Sequence, residues 1–380
     1  MSDNDNVLGE SIDYLSRGSG LGSLSEAFAN ITVGINHRGV GNPVPYNQDN
    51  QGLTFFTRPR LNLSYNNLTA DRRMSLLGAG KGRARTHYHE AVRQWLDPEV
   101  AKIVADGHNT RFPLVDPKCA FIPWLTNNLI SLNGWPDPVT ENYIADAGLA
   151  KETWGMVDGI DTIYHEYTLN ASFRNISGDP ISLLLEAWRI YMSLVYQGKM
   201  LPYPDSEMLR EIDYQTRIYR LILDPTRSYV QKIAACGVAW PMSSALGQAF
   251  DFASDTPFMQ DRASQISVPF QAIGAMYQDP IIMQEFNDVV EIFNPDMADG
   301  RREQAMVKIP RTELVALNYH GYPRIDMDQQ NELQWWMSKE DYAAVKGGSQ
   351  ATTQQPINQP VTNTSGEPMP PRTIIPFFSP

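Results

Sequence analysis

Between Tyr167 and Arg174 the chain alternates strictly. Tyr167, Leu169, Ala171 and Phe173 are apolar, while Thr168, Asn170, Ser172 and Arg174 are polar. Side chains of a strand point alternately to opposite faces, so this segment is expected half-buried in a sheet. Gly178-Asp179-Pro180 then ends the strand and starts a helix, with Asp179 placed to cap free amides and Pro180 suited to the first helical position. The helix is expected to run to Tyr196. Leu184, Trp188, Tyr191 and Val195 recur at helical spacing, and Leu183, Leu185, Ile190, Met192 and Leu194 widen the apolar surface beyond one stripe. A helix apolar nearly all round needs cover on more than one side. One sheet cannot supply it, and a second subunit is the expected cover.

The 380 residues suffice for one large or two modest domains. A hydrophobic content of 42% excludes wholesale disorder. Lys and Arg number 31 against 43 Asp and Glu, a net charge of −12, which argues against a protein that grips nucleic acid through a basic patch. A surface past which nucleic acid moves without sticking stays compatible with that charge. Cys119 and Cys236 make neither a disulfide framework nor a zinc site and read as small buried side chains. The opening residues show no basic region followed by an apolar run, and no apolar run approaches membrane-crossing length. A chain made and assembled in a reducing cytoplasm is the expectation.

Taken in order, residues 1–50 read as an N-terminal arm rich in Gly, Ser, Pro and Asn, with one short element over Leu24–Val33. Leu53–Leu63 is a predicted strand interrupted at Pro59. Residues 66–111 turn helical and charged, with Tyr88, Val92 and Trp95 at helical spacing, and read as a helical insertion in a mostly β region. Ala120–Leu125 and Leu129–Leu132 are short apolar runs with strand character. Ile218–Leu223 and Val230–Ala239 are further strand candidates, the second closed by Trp240-Pro241. Ile266, Val268, Phe270 and Ala272 alternate, and Pro269 suggests an edge strand there. The predicted class is α+β, a sheet of five or more strands with one prominent helix, in a domain spanning residues 51–310. Residues 311–380 form a docking segment, with a short helix over Glu332–Val345, and a strap poor in apolar residues until Ile374-Ile375-Pro376-Phe377-Phe378.

Candidate chemistry is thin. Gly78-Ala79-Gly80-Lys81-Gly82 lacks the Ser or Thr a phosphate loop needs after its lysine, and reads as a flexible basic turn. His87 and His89 are two apart, so a helix places them on different faces, and with Glu90 they do not make a metal site. His165-Glu166 has no nucleophile at motif spacing. His37, His108 and His320 are isolated. The Asn-x-Ser/Thr sequences at Asn30, Asn62, Asn67, Asn170, Asn175 and Asn363 read as composition. No residue is assigned to catalysis, to a cofactor or to a metal.

Three segments together resemble the tail-tube proteins of contractile-tailed bacteriophages. Thr57-Arg58-Pro59-Arg60-Leu61 is similar to the segment entering the first strand of those proteins. Tyr167–Tyr191 resembles their alternating strand, acidic turn and Trp-bearing helix, here with Trp188. Ile233–Phe252 resembles an apolar strand, Trp-Pro, short turn and aromatic-Asp-aromatic run, with Trp240, Phe250 and Phe252, and Ile266–Tyr277 resembles the closing strand with Phe270. The resemblance implies a β-sandwich or barrel-like tube fold whose strands close, in a hexameric ring, into a shared inner barrel. It implies a non-enzymatic virion protein of a phage tail, either tail tube or tube-initiator at the baseplate. Its partners would be further copies of itself, the sheath, a baseplate hub and DNA in transit. Acidic residues are expected along the lumen. Core or interface roles fall to Leu184, Trp188, Tyr191, Val195, Phe173, Trp240, Phe250, Phe252 and Phe270. A neck, baseplate wedge or capsid protein, or an enzyme with a dispersed site, are the alternatives.

Deleting Gly347–Pro380 is expected to leave the core folded while weakening stacking or partner binding. Thermal melts of the shortened chain check the first outcome, and light scattering the second.

Overall fold

The computed structural model describes residues 52–78, 84–105, 115–158, 165–209, 211–224, 226–250, 265–328 and 330–352. The expected arm at 1–50, residues 79–82 of the basic turn, His37, His108, Phe252 and the strap past Thr352 lie outside the described residues. The strands are β1 Gly52–Phe56, β2 Leu129–Asn133, β3 Asn142–Ile144, β4 Gly155–Val157, β5 Glu166–Arg174, β6 Ile218–Leu223, β7 Val230–Pro241, β8 Gln265–Tyr277, β9 Met306–Lys308, β10 Tyr322–Asp326 and β11 Glu332–Ser338. The longer helices and one short linking helix are α1 Ala84–Leu96, α2 Pro98–Ala105, α3 Pro123–Asn127, α4 Pro180–Tyr196, α5 Pro280–Phe293 and α6 Lys339–Thr352. The class is α+β.

Six strands form an antiparallel sheet in the order β1-β6-β7-β8-β5-β2. Laid flat, its outer strands would lie about 24 Å apart at the usual ~4.8 Å spacing. The chain does not allow that distance. Phe121 bridges to Thr57 just past β1, and the Ile122 amide donates to the Phe56 carbonyl at 2.9 Å. One helical turn, α3, then carries the chain from Ile122 to β2 on the opposite edge. So short a link reaches roughly 15 Å, so the sheet curls towards closure. Phe56 of β1 accordingly meets Phe173 of β5 and Phe270 of β8 across the interior, with ring centroids 5.8 and 5.7 Å away, and those two rings lie 6.4 Å from each other.

The curl is made possible at one point. Along β7, Ile233 and Ala235 enter one core, yet Ala239, which a regular strand would place on their side, enters the other. The switch falls at Gly237, which the register skips opposite Gly274 of β8. Gly274 has φ +70°, and a Cβ on Gly237 would stand 3.0 Å from the Ile273 carbonyl oxygen. Both strands bend where neither carries a side chain.

Helix α4 lies in the first core, with Ile181, Leu184, Leu185, Trp188, Tyr191 and Leu194 all fully buried. The second subunit expected to cover it is not needed for this. The sheet covers one side, and Leu61, Leu63, Leu68, Met74 and Leu77 with Val92, Trp95 and Leu96 of α1 cover the other. Part of the 66–111 segment thus contributes side chains to the same core as α4. The expected cap at Asp179 is also absent. Asp179 has φ +52°, and its side chain makes no cap bond and accepts from Asn175 instead. The same Asp-Pro pair at α5 behaves as the sequence rule says, Asp279 accepting from the Ile281 amide at 2.9 Å.

A second core lies on the opposite face of β1, β6 and β7. There Phe55, Phe121, Tyr219 and Leu221 pack against Ile282, Phe286 and Val290 of α5, and against Ile325 and Leu333 of a three-stranded sheet ordered β10-β11-β9. That small sheet corrects the expected docking helix over Glu332–Val345. Trp335 and Trp336 sit on β11, and the helix begins only at Lys339. Ala120–Leu125 is likewise no strand, with a single bridge at Phe121, because Pro123 opens α3. Pro269 does not mark an edge either. β8 runs between β7 and β5, and Pro269 lies where β7 ends, its carbonyl accepting from the Met242 amide at 2.9 Å. The missing amide hydrogen faces that end, so no ladder bond to β5 is lost.

Arg58 fastens these layers. It is 3% exposed, and burial pushes its guanidinium down to about 10. Its nitrogens donate to the carbonyls of Gln94, Trp95, Asp116, Pro117 and Cys119 at 2.6–3.4 Å. The guanidinium also lies against the rings of Trp95 and Phe293.

Trp188→Ala removes a fully buried indole whose Nε1 donates to the Tyr214 carbonyl, and is expected to cost about 3–5 kcal/mol. Gly274→Ala meets no close atom, so its expected cost is the left-handed backbone alone, about 1–2 kcal/mol. Denaturant melts of the two variants should separate them in that order.

Candidate assembly surface

Of the nine residues singled out from sequence, the eight that the structure describes divide by location. Leu184, Trp188, Tyr191, Phe173 and Phe270 are fully buried in one cluster, with Val195 half-buried against it. Trp240 is half-buried on β7, opposite Gln271. Phe250 is 84% exposed and joins neither core. Tyr191 brings in a residue that sequence reasoning missed. Its hydroxyl donates to the Asp213 carboxylate and accepts from the Asn62 amide at 3.2 Å. Burial raises Asp213 above the ordinary carboxylate range, with no cation among its hydrogen-bond partners. Burial also raises Asp97, although the amides of Leu63, Glu99 and Val100 hydrogen-bond to it.

These groups are tied into the fold by hydrogen bonds. Cys236 is buried, accepts from the Ile218 amide at 3.0 Å, and is pushed up to about 12 by burial. Cys119 is pushed up to about 11 for the same reason. Neither thiol is poised as a nucleophile. Among the described residues no group of three or more His, Cys, Asp or Glu could hold a metal ion, and no helix is long and apolar enough to cross a membrane.

What the chain does present is surface of unusual kinds. Strands β3 and β4 form a hairpin of their own, paired Asn142 to Val157 through Ile144 to Gly155. Its turn closes by bonds from Ala145 to Trp154 and from Gly148 to Glu152. Every residue of both strands is exposed. Ile144, Val157 and Trp154 are each more than 60% exposed, and Tyr143 stacks edge-on to Trp154 at 6.5 Å. Large apolar side chains gathered on an element outside both cores mark a contact surface. Asp137, Glu141, Asp146, Glu152 and Asp158 against Lys151 give the hairpin region an acidic rim.

A second surface is the outward face of β2, β5 and β8. Cross-strand pairing places Ser131, Ser172 and Ser267 in one row, Asn133 beside Asn170 in the next, and Thr168 beside Gln271 in a third. Charge enters only at the two ends of β5, at Glu166 and Arg174. At the sheet margin, β2 has β5 as its sole strand neighbour among the described residues.

The sequence model of a family described as "Putative phage tail tube protein" matches residues 1–351. No curated protein matches the chain. Among solved structures, the cryo-EM structure of the anti-feeding prophage cap, the AFP tube-terminating cap, matches at 12% identity. The match covers 42% of this chain and 82% of that one, with a TM-score of 0.24. The sheath/tube terminator of an extracellular contractile injection system, PVC, in its extended state matches at 8% identity over 42% of this chain and 88% of that one, TM-score 0.24. The PVC sheath–tube complex in the extended state matches at 10% identity over 42% and 82%, again at 0.24.

Proposed function

The chain belongs to the phage tail tube protein family and is a structural protein of the tail, and we propose that it works by assembling into rings that stack as the DNA-conducting tube. Six copies per ring, in a contractile tail, is the arrangement this reading takes. The tube itself and the ring at the baseplate from which a tube starts are the two places it fits. Sheath and hub proteins are the outer partners. The protein acts by mutual contact, with no catalytic step.

The observation that carries the reading is the β3–β4 hairpin. A two-stranded hairpin on its own is marginal in water. One that displays Tyr143, Ile144, Trp154, Met156 and Val157 to solvent gains stability when another surface covers it. Covering one such hairpin per copy supplies contacts that repeat identically, and head-to-tail repetition of a contact closes into rings or continues into filaments. The margin at β2 supports the same reading, since an unpaired strand edge is a template for a further strand.

The test is light scattering with negative-stain microscopy on the full chain at rising concentration. Open-centred rings that stack are expected, and copies that stay single at every concentration overturn the proposal. Replacing Tyr143, Ile144 and Val157 together by Asp should leave the melt within about 1.5 kcal/mol of the parent, about 0.5 for each exposed position. The same variant should abolish stacking.

A further inference from the structure

From the outward face of β2, β5 and β8 we infer that this face lines the channel, and that the wall it presents to a passing polyanion is neutral, built of hydroxyls and amides. The inference rests on the ring reading above and assigns the residues and the chemistry of its lumen. It replaces the acidic lining expected from overall charge.

The face has a composition that fits few other roles. A sheet face left to bulk solvent usually carries Lys and Glu, which keep it soluble and unpaired. Here three successive rows across the strands carry no charge at all, although 19% of the chain is charged. The two charges on β5 lie at its ends, about 26 Å apart by strand rise. A face that docks protein displays aromatic or aliphatic anchors. These rows offer Ser, Asn, Thr and Gln with Pro269, and the apolar side chains beside them are Trp240 and Ile273 where β8 meets β7 and Ile130 at the bulge of β2. A face that holds nucleic acid carries Lys or Arg, because affinity comes from releasing the counterions of phosphates.

The opposite side of the same strands explains why this face is free. Leu169, Ala171, Phe173, Val268, Phe270 and Ala272 are buried inward. The outward faces of β1, β6 and β7 as far as Gly237 lie under the second core. Among the described residues, the β2, β5 and β8 portion is left uncovered. Its hydroxyl and amide groups hold water and make no ionic contact with phosphate. Duplex DNA would slide past with neither counterion release nor like-charge repulsion, so its passage would depend little on salt.

The experiment uses assembled full-length protein and two duplex probes of equal length, one linear and one a covalently closed circle. A channel can be threaded by a free end and not by a circle, whereas an outer surface meets both. The parent assembly is expected to retain neither probe at low or high salt. The variant carrying Asn170→Lys, Ser267→Lys and Gln271→Lys should assemble as the parent does and retain the linear duplex at least about tenfold more, with a log–log salt slope of about −0.9 per phosphate contacted. The circle should not be retained. Equal retention of both probes puts the face outside the tube and overturns the inference, as does an assembled variant that retains neither. A variant that melts normally but stays single shows that the face is a contact between copies, which also overturns it. Retention by the parent that rises with salt restores an acidic wall. If the parent forms no open rings, the ring reading fails, and microscopy of the parent alone reveals that.

Discussion

A guanidinium buried among backbone carbonyls is the interaction on which the layers depend. Taking a charge out of water is costly unless polar groups replace its hydration. Around Arg58 the replacement comes from three separate pieces of chain. Gln94 and Trp95 give the last carbonyls of α1, where the helix dipole already favours a cation. Asp116, Pro117 and Cys119 give the carbonyls of the loop leading to α3. The ring of Phe293, at the end of α5, covers the plane from the second core. One side chain thereby fixes the exit of β1 against a helix of the first core, a helix of the second and the link that brings the sheet edges together. Lysine, a point charge without the planar fork, could not meet the same carbonyls.

How far this was legible follows from what sequence patterns report. Alternation over β5 and the apolar breadth of α4 are records of burial, and both elements appear at those positions. Breadth of burial does not say who provides the cover. The Leu61–Leu96 stretch does so from far upstream, and its charged, helical character disguised the residues that reach the core. Asp179-Pro180 and Asp279-Pro280 carry the same local signal, yet only the second forms the cap, because the entry to α4 takes a left-handed turn at Asp179. Ile282, Phe286 and Val290 at four-residue spacing behind Asp279-Pro280 were a readable sign of α5, and it was missed. The pair Trp335-Trp336 was misread because both faces of β11 are largely covered, which hides the two-residue period.

The assembly surface was far less legible than the core. Strands β3 and β4 are three residues each, below the length at which alternation can be recognised, and their apolar residues record no burial within the chain. The neutral face of β5 was visible as the polar half of an alternating strand. Its extension across three strands depends on register, which brings Ser131, Ser172 and Ser267 together from distant positions. The resemblance to tube proteins rested on the segments that make the core, so it located the family and left the surfaces to be found in the fold.

The order of the strands also sets a timetable. β1 has β6 as its ladder partner, and Thr54 and Arg220, bonded across them, stand 166 residues apart. At a synthesis rate of ~5–20 residues per second, β1 waits roughly 8–33 s after emergence before its partner exists. During that interval Phe55 and Phe56, which later enter opposite cores, can meet Phe121 and Phe173 but lack the ladder that holds β1 in the sheet. The curled sheet is therefore a late event on the ribosome, and a half-made chain carries an apolar ribbon that must be kept from its neighbours until β6 arrives.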